Sequence, residues 1–147
     1  MKEQLKAAFT SWPHCLATYV ALAGAFWLLA FGWKPVLNNP PVYTGIVAIG
    51  EGEKAWKVSF TGSMKPFLQG GEIAVTKADY DSIQVGQILV YKAPYNNNPI
   101  IHRAVQKDRD GWIMSGDSAK HTESWARVTK DNYLGTVVAV YQNLDKK

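Results

Sequence analysis

Residues 86–106 read GQILVYKAPYNNNPIIHRAVQ, and this stretch decides the fold. Two short runs, Gln87–Lys92 and Ile100–Gln106, are rich in branched and aromatic residues and stand apart across the turn-forming Asn96-Asn97-Asn98. Working outward, similar runs recur at Val42–Ile49, Trp56–Phe60, Glu72–Thr76, Trp112–Ser115 and Thr136–Gln142, punctuated by Gly50, Gly70-Gly71, Gly86 and Asp110-Gly111. Seven short strands with little helical signal predict a mainly β domain, built as a small barrel or sandwich. No internal repeat or low-complexity tract interrupts the pattern.

The chain has 147 residues, enough for one compact domain and short for a two-domain enzyme. Apolar residues at 47% against 19% charged exclude disorder as the dominant state. The single cysteine, Cys15, excludes an intrachain disulfide framework and a cysteine-built zinc site. His14, His102 and His121 are far apart and share no metal-ligand spacing, so a metalloenzyme is not expected. The net charge of +4 is spread along the chain without a Lys or Arg run, which argues against a nucleic-acid partner.

Apolar residues concentrate before the β pattern begins. Cys15 to Trp33, CLATYVALAGAFWLLAFGW, carries no charge over 19 residues. As a helix it spans roughly 28 Å, close to the ~30 Å hydrocarbon core. Trp12 and Tyr19 lie toward one end and Trp27 and Trp33 toward the other, as membrane interfaces favour. Pro13 suits a helix start and Pro35 a stop. A buried helix and a cleaved signal peptide are the competing readings. The stretch exceeds the ~7–15 apolar residues of a signal peptide, so a retained transmembrane α-helix is expected. Lys2 and Lys6 precede the span and only Lys34 follows it before Glu51, a bias that favours a cytoplasmic N-terminus. The expected organisation is a cytoplasmic segment over 1–14, a single-pass anchor over 15–33, a Pro/Asn-rich linker over 34–41 and an exported β domain over 42–147.

Three separated segments carry candidate chemistry. In Thr61-Gly62-Ser63-Met64-Lys65-Pro66, a serine follows a glycine in a turn that exposes its Oγ and leaves backbone N–H groups free. In Ile100-Ile101-His102-Arg103-Ala104-Val105, a histidine interrupts an apolar strand, and an unperturbed imidazole (pKa about 6.5) suits general-base work. The polar segment 115–124, SGDSAKHTES, offers Asp117 and Glu123, either able to fix a histidine tautomer. Taken alone, each segment reads more readily as an ordinary turn, a structural histidine or a solvated loop.

In this order, over about Phe60 to Val140, they resemble the signal peptidase I family of membrane serine endopeptidases. Ser63-Met64-Lys65-Pro66-Phe67-Leu68 is similar to its Ser-Met-x-Pro-Thr-Leu nucleophile box. Gly71-Glu72-Ile73-Ala74-Val75 and Gly86-Gln87-Ile88-Leu89-Val90 resemble its two Gly-Asp-x-Val strands. Ile101-His102-Arg103 resembles the box with the general base before an arginine, and Gly116-Asp117 the Gly-Asp-Asn box. A histidine at the base position matches the endoplasmic-reticulum and archaeal branch. There the acid lies six residues after the Asp of Gly-Asp-Asn, which makes Glu123 the aligned acid and Asp117 its neighbour. Glu72 and Gln87 replace the usual Asp residues, Phe67 replaces Thr, Ser118 replaces Asn and Glu123 replaces Asp.

The resemblance implies acyl transfer, with Ser63 as nucleophile and His102 as base. The Ser63 N–H and the Thr61 hydroxyl would hold the oxyanion, worth about 3 kcal/mol for one donor. It implies preprotein substrates with small residues before the cut and no cofactor. Accessory subunits are left open. Phe60, Met64, Pro66 and Phe67 are candidates for an apolar rim facing substrate or the lipid bilayer. Two alternatives stand beside this reading: a dedicated or catalytically idle subunit of a larger assembly, and a LexA-like self-cleaving regulator. The anchor and His102 oppose the second.

Overall fold

The structure is a computed structural model, described here for residues 37–119 and 122–142. The expected transmembrane span at 15–33 and the cytoplasmic segment lie outside the described residues. Among the described residues no helix is long and apolar enough to cross a membrane.

Among the described residues eight strands follow one another: β1 (Val42–Thr44), β2 (Glu53–Lys57), β3 (Ile73–Lys77), β4 (Ile88–Lys92), β5 (Pro99–Asp108), β6 (Gly111–Ser115), β7 (Glu123–Val128) and β8 (Tyr133–Gln142). They form one sheet in the order β2-β3-β8-β4-β5-β6-β7, with β1 added parallel to β8. The other pairings are antiparallel. The expected barrel or sandwich therefore takes the form of one continuous, mainly antiparallel sheet. Register shifts at Val75/Thr76, Val90/Tyr91, Ala104/Gln106 and Ile113/Met114 mark irregularities of the kind that bend and twist a sheet.

Strand β4 explains why 86–106 was decisive. It lies between β8 and β5, and its side chains alternate between two cores. Ile88 and Val90 join Val58, Met64, Leu68, Ala74, Val137 and Val140. Leu89 and Tyr91 join Ile83, Ala104, Trp112, Met114 and Val128. A strand buried on both faces reads as a continuous apolar run rather than an alternating one.

The strand bounds shift by one to three residues at most positions, and three differences from the sequence reading are larger. The first strand stops at Thr44 rather than Ile49, because Gly45 turns the chain at φ 117°. The second runs over Glu53–Lys57 rather than Trp56–Phe60, since its ladder with β3 pairs Glu53 with Lys77 and Lys57 with Ile73. The polar segment expected to be a loop ends by entering β7, which the sequence reading lacked. The connector, too, is more than a linker where it is described. Asn38 N–H donates to the Gly86 carbonyl, and the Pro41 carbonyl accepts from Val140 N–H.

Candidate active site

Gly62 sits at φ 77°, a conformation side-chain-bearing residues seldom adopt, and it turns the chain into Ser63. The turn continues with Lys65 N–H donating to the Gly62 carbonyl (3.1 Å) and Leu68 N–H to the Met64 carbonyl (2.9 Å). Met64 is 2% exposed and packs in the first core. It pins the turn from beneath, which corrects its expected place on an apolar rim. Of the other rim candidates, Phe67 is half-buried against the same core, while Pro66 and Phe60 are exposed.

The turn delivers Ser63 to the face of β5. His102, opposite Leu89 on β4 and 8% exposed, places Nε2 3.2 Å from Ser63 Oγ. The Thr61 hydroxyl lies 3.3 Å from the same Oγ. Residues that sequence separates by 39 positions thus meet at hydrogen-bond distance. They border a cleft of about 510 Å³ whose walls include Trp56, Val58, Tyr95 and Ile101.

Next to His102, Arg103 is buried at 2% exposure. Its guanidinium grips both carboxylate oxygens of Asp117, with Nε to Oδ1 at 2.7 Å and Nη2 to Oδ2 at 2.6 Å. It also donates to the Gly86 carbonyl and to Asn39 Oδ1, and stands 6.0 Å from the Phe67 ring centroid. The Asp117 carboxylate is therefore committed to Arg103. Glu123 opens β7 at the register position opposite Met114, and its side chain lies outside the described set.

The residues around Asp117 hold the serine turn. Ser63 carbonyl accepts from Ser118 N–H (3.0 Å) and Ser118 Oγ (2.9 Å). Gly116 lies so close that a Cβ there would stand 2.7 Å from the Ser63 carbonyl oxygen. Sequence reasoning assigned no role to Gly116 or Ser118. Their placement inside a recognisable box was the available signal. It also missed Tyr91, whose hydroxyl lies 3.3 Å from His102 Nδ1.

Two departures from the family boxes have a physical reading. Glu72 accepts from Gln69 N–H (3.0 Å) and Gly70 N–H (2.7 Å), closing the turn before β3. Gln87 Oε1 accepts from Gln84 N–H (2.9 Å) before β4. Glu72 uses both of its carboxylate oxygens and Gln87 its one amide oxygen, each aimed at the preceding turn.

A serine hydroxyl facing an imidazole nitrogen beside an open cleft is the arrangement of hydrolases that act through an activated hydroxyl. Among known proteins, the chain is similar to the "Signal peptidase complex catalytic subunit SEC11" of Metarhizium acridum, at 30% identity over 57% of this chain and 56% of that one. It is also similar to the subunit of the same name from Ogataea parapolymorpha (31%, covering 64% and 44%) and from Sclerotinia sclerotiorum (28%, covering 66% and 63%). The resemblance read from the motifs thus points to the same proteins as the overall similarity. The chain spans about half the length of the curated relatives it matches first. No family model matches it.

Proposed function

We propose that this chain is a membrane-anchored serine endopeptidase that removes signal peptides from exported preproteins after small residues. The 3.2 Å approach of Ser63 Oγ to His102 Nε2 carries the proposal. His102 takes the Oγ proton as the oxygen attacks the scissile carbonyl, and returns it to the leaving amine as the C–N bond breaks. Water then repeats the sequence on the acyl-enzyme, and the product acid leaves. The Ser63 N–H and the Thr61 hydroxyl serve the oxyanion. Because Arg103 holds both oxygens of Asp117, Glu123 is the better candidate for the acid behind His102. Segment 15–33 anchors the β domain on the exported side, with the N-terminus in the cytoplasm. The relatives' name, a subunit of a complex, supports a place for accessory subunits here too.

The test is cleavage of a panel of preproteins by the detergent-solubilised full chain. Wild type should cut after small residues. Ser63→Ala should abolish cutting with its thermal midpoint within a degree or two of wild type. A Ser63→Ala protein that still cleaves would end this reading.

A further inference from the structure

We propose that Trp56 sets the size limit for substrate side chains in the cleft, with Thr76 as the positioning residue that holds its ring in place. The inference rests on the proposed function, in which Ser63 cuts peptide in that cleft. Strand β2 stands at one end of the strand order, against β3. Their ladder sets Lys54 opposite Thr76 and Trp56 opposite Ala74, so Trp56 and Thr76 are diagonal neighbours on one face of the sheet. Trp56 Nε1 donates to Thr76 Oγ1 at 2.9 Å, and the Thr76 hydroxyl donates to the Lys54 carbonyl at 3.3 Å. Both directions are fixed, because an indole nitrogen only donates and a carbonyl only accepts.

The anchor is itself packed in. Thr76 is 1% exposed, and from β8 Gly135 comes so close that a Cβ there would stand 2.7 Å from Thr76 Cβ. Trp56 in turn packs against the first core, and it lines the cleft of Ser63 and His102 together with Val58, Val90 and Ile101. The other three are branched aliphatic residues, so the indole is the largest of these apolar walls. An indole free to swing would yield to a bulky substrate residue. Swinging this one would part the half-buried N–H from its acceptor, a loss that opposes the motion. A fixed wall admits small side chains and excludes large ones by overlap.

The test uses the full chain in detergent and peptides that carry Ala or Leu at each position before the cut in turn. Wild type should prefer Ala at one position or more. Trp56→Ala should lower that Ala-to-Leu ratio of kcat/KM by at least about tenfold, and Trp56→Phe, which keeps an aromatic ring against the core, by less. Thr76→Val removes the acceptor, keeps the branched shape and should lower the ratio by about threefold. Loss of folded protein lowers both rates together and leaves the ratio, so the ratio reads the wall. An unchanged ratio in the Trp56 variants would overturn the proposal, and an unchanged ratio in Thr76→Val would overturn the role of Thr76. Binding of the same peptides to Ser63→Ala, followed by fluorescence anisotropy, needs neither cleavage nor a change at Trp56. There the Ala peptide should bind more tightly, and equal affinities or no binding would also overturn the size limit. If wild type cleaves no preprotein, the proposed function fails by itself, and the anisotropy still decides the role of Trp56.

Discussion

Replacing Asp117 by asparagine separates a structural carboxylate from a catalytic one. The Arg103 and Asp117 side chains are 3% and 11% exposed, and two N–H···O contacts of 2.6 and 2.7 Å join them. In Asp117→Asn the amide would offer one acceptor and turn an NH₂ group toward the guanidinium, leaving the buried cation uncompensated. Breaking a buried pair from one side costs about 3–5 kcal/mol. Arg103 keeps the Gly86 carbonyl and Asn39 Oδ1, which sets the expected loss near the lower end, about 3 kcal/mol. For a domain of this size that corresponds to a fall of roughly 12–24 °C in thermal midpoint. The assay is thermal unfolding of the full chain in detergent, followed by near-ultraviolet circular dichroism. A double change, Asp117→Leu with Arg103→Met, should recover much of the loss, because an apolar pair needs no desolvated charge. A midpoint within about 2 °C of wild type, joined to a collapse of cleavage, would refute the reasoning and make Asp117 the partner of His102.

Two further outcomes follow from the same contacts. Gly116→Ala puts a Cβ 2.7 Å from the Ser63 carbonyl oxygen and should displace the serine turn by several tenths of an ångström. Single-turnover cleavage should fall by about 10²-fold, and a fully active variant would show that the strap does not position Ser63. At Asp108, desolvation alone would raise the carboxyl, yet hydrogen bonds from Asp110 N–H, the Arg127 guanidinium and Gly111 N–H hold it below the ordinary carboxylate range. With the folded-state value depressed, its stabilisation is complete above the unfolded-state value and is lost as pH falls through the folded-state one. Denaturation midpoints of wild type and Asp108→Asn should therefore differ at neutral pH and converge in acid, and a pH-independent gap would count against the contact.

The parts of the fold legible in the sequence are those whose signal is local. Strands β4 and β5 announce themselves because ILVY and IIHRAV are apolar runs bounded by turn residues. Strand β7, ESWARV, mixes charged and apolar residues, and no Gly or Pro bounds it. Its state depends on the ladder with β6, a long-range partner that no window of sequence contains. The site divides the same way. Ser63 and His102 were legible from their boxes, and the distance between them was not. Tyr91 carries no local signal, since its meeting with His102 depends on the register that sets Leu89 opposite that histidine. A slip of one residue would turn Tyr91 to the other face. Met64 misled because an apolar residue beside a candidate nucleophile reads equally as rim or as core.

Three consecutive residues explain why the separated boxes act as one unit. Gly116 makes room for the Ser63 carbonyl, Ser118 donates to it, and Asp117 between them grips the arginine that follows His102 in β5. Because Arg103 pairs with Ser115 in the β5–β6 ladder, the sheet register brings the strap to the arginine. The Ser63 turn is thereby tied to the strand that carries its partner, and the Oγ to Nε2 distance is set by two attachments on one short segment. The serine needs only an N–H and one O–H at position 118, so a residue shorter than asparagine suffices there. The carboxylate at 117 has no such latitude, since a guanidinium presenting two parallel N–H groups requires two oxygens at fixed spacing.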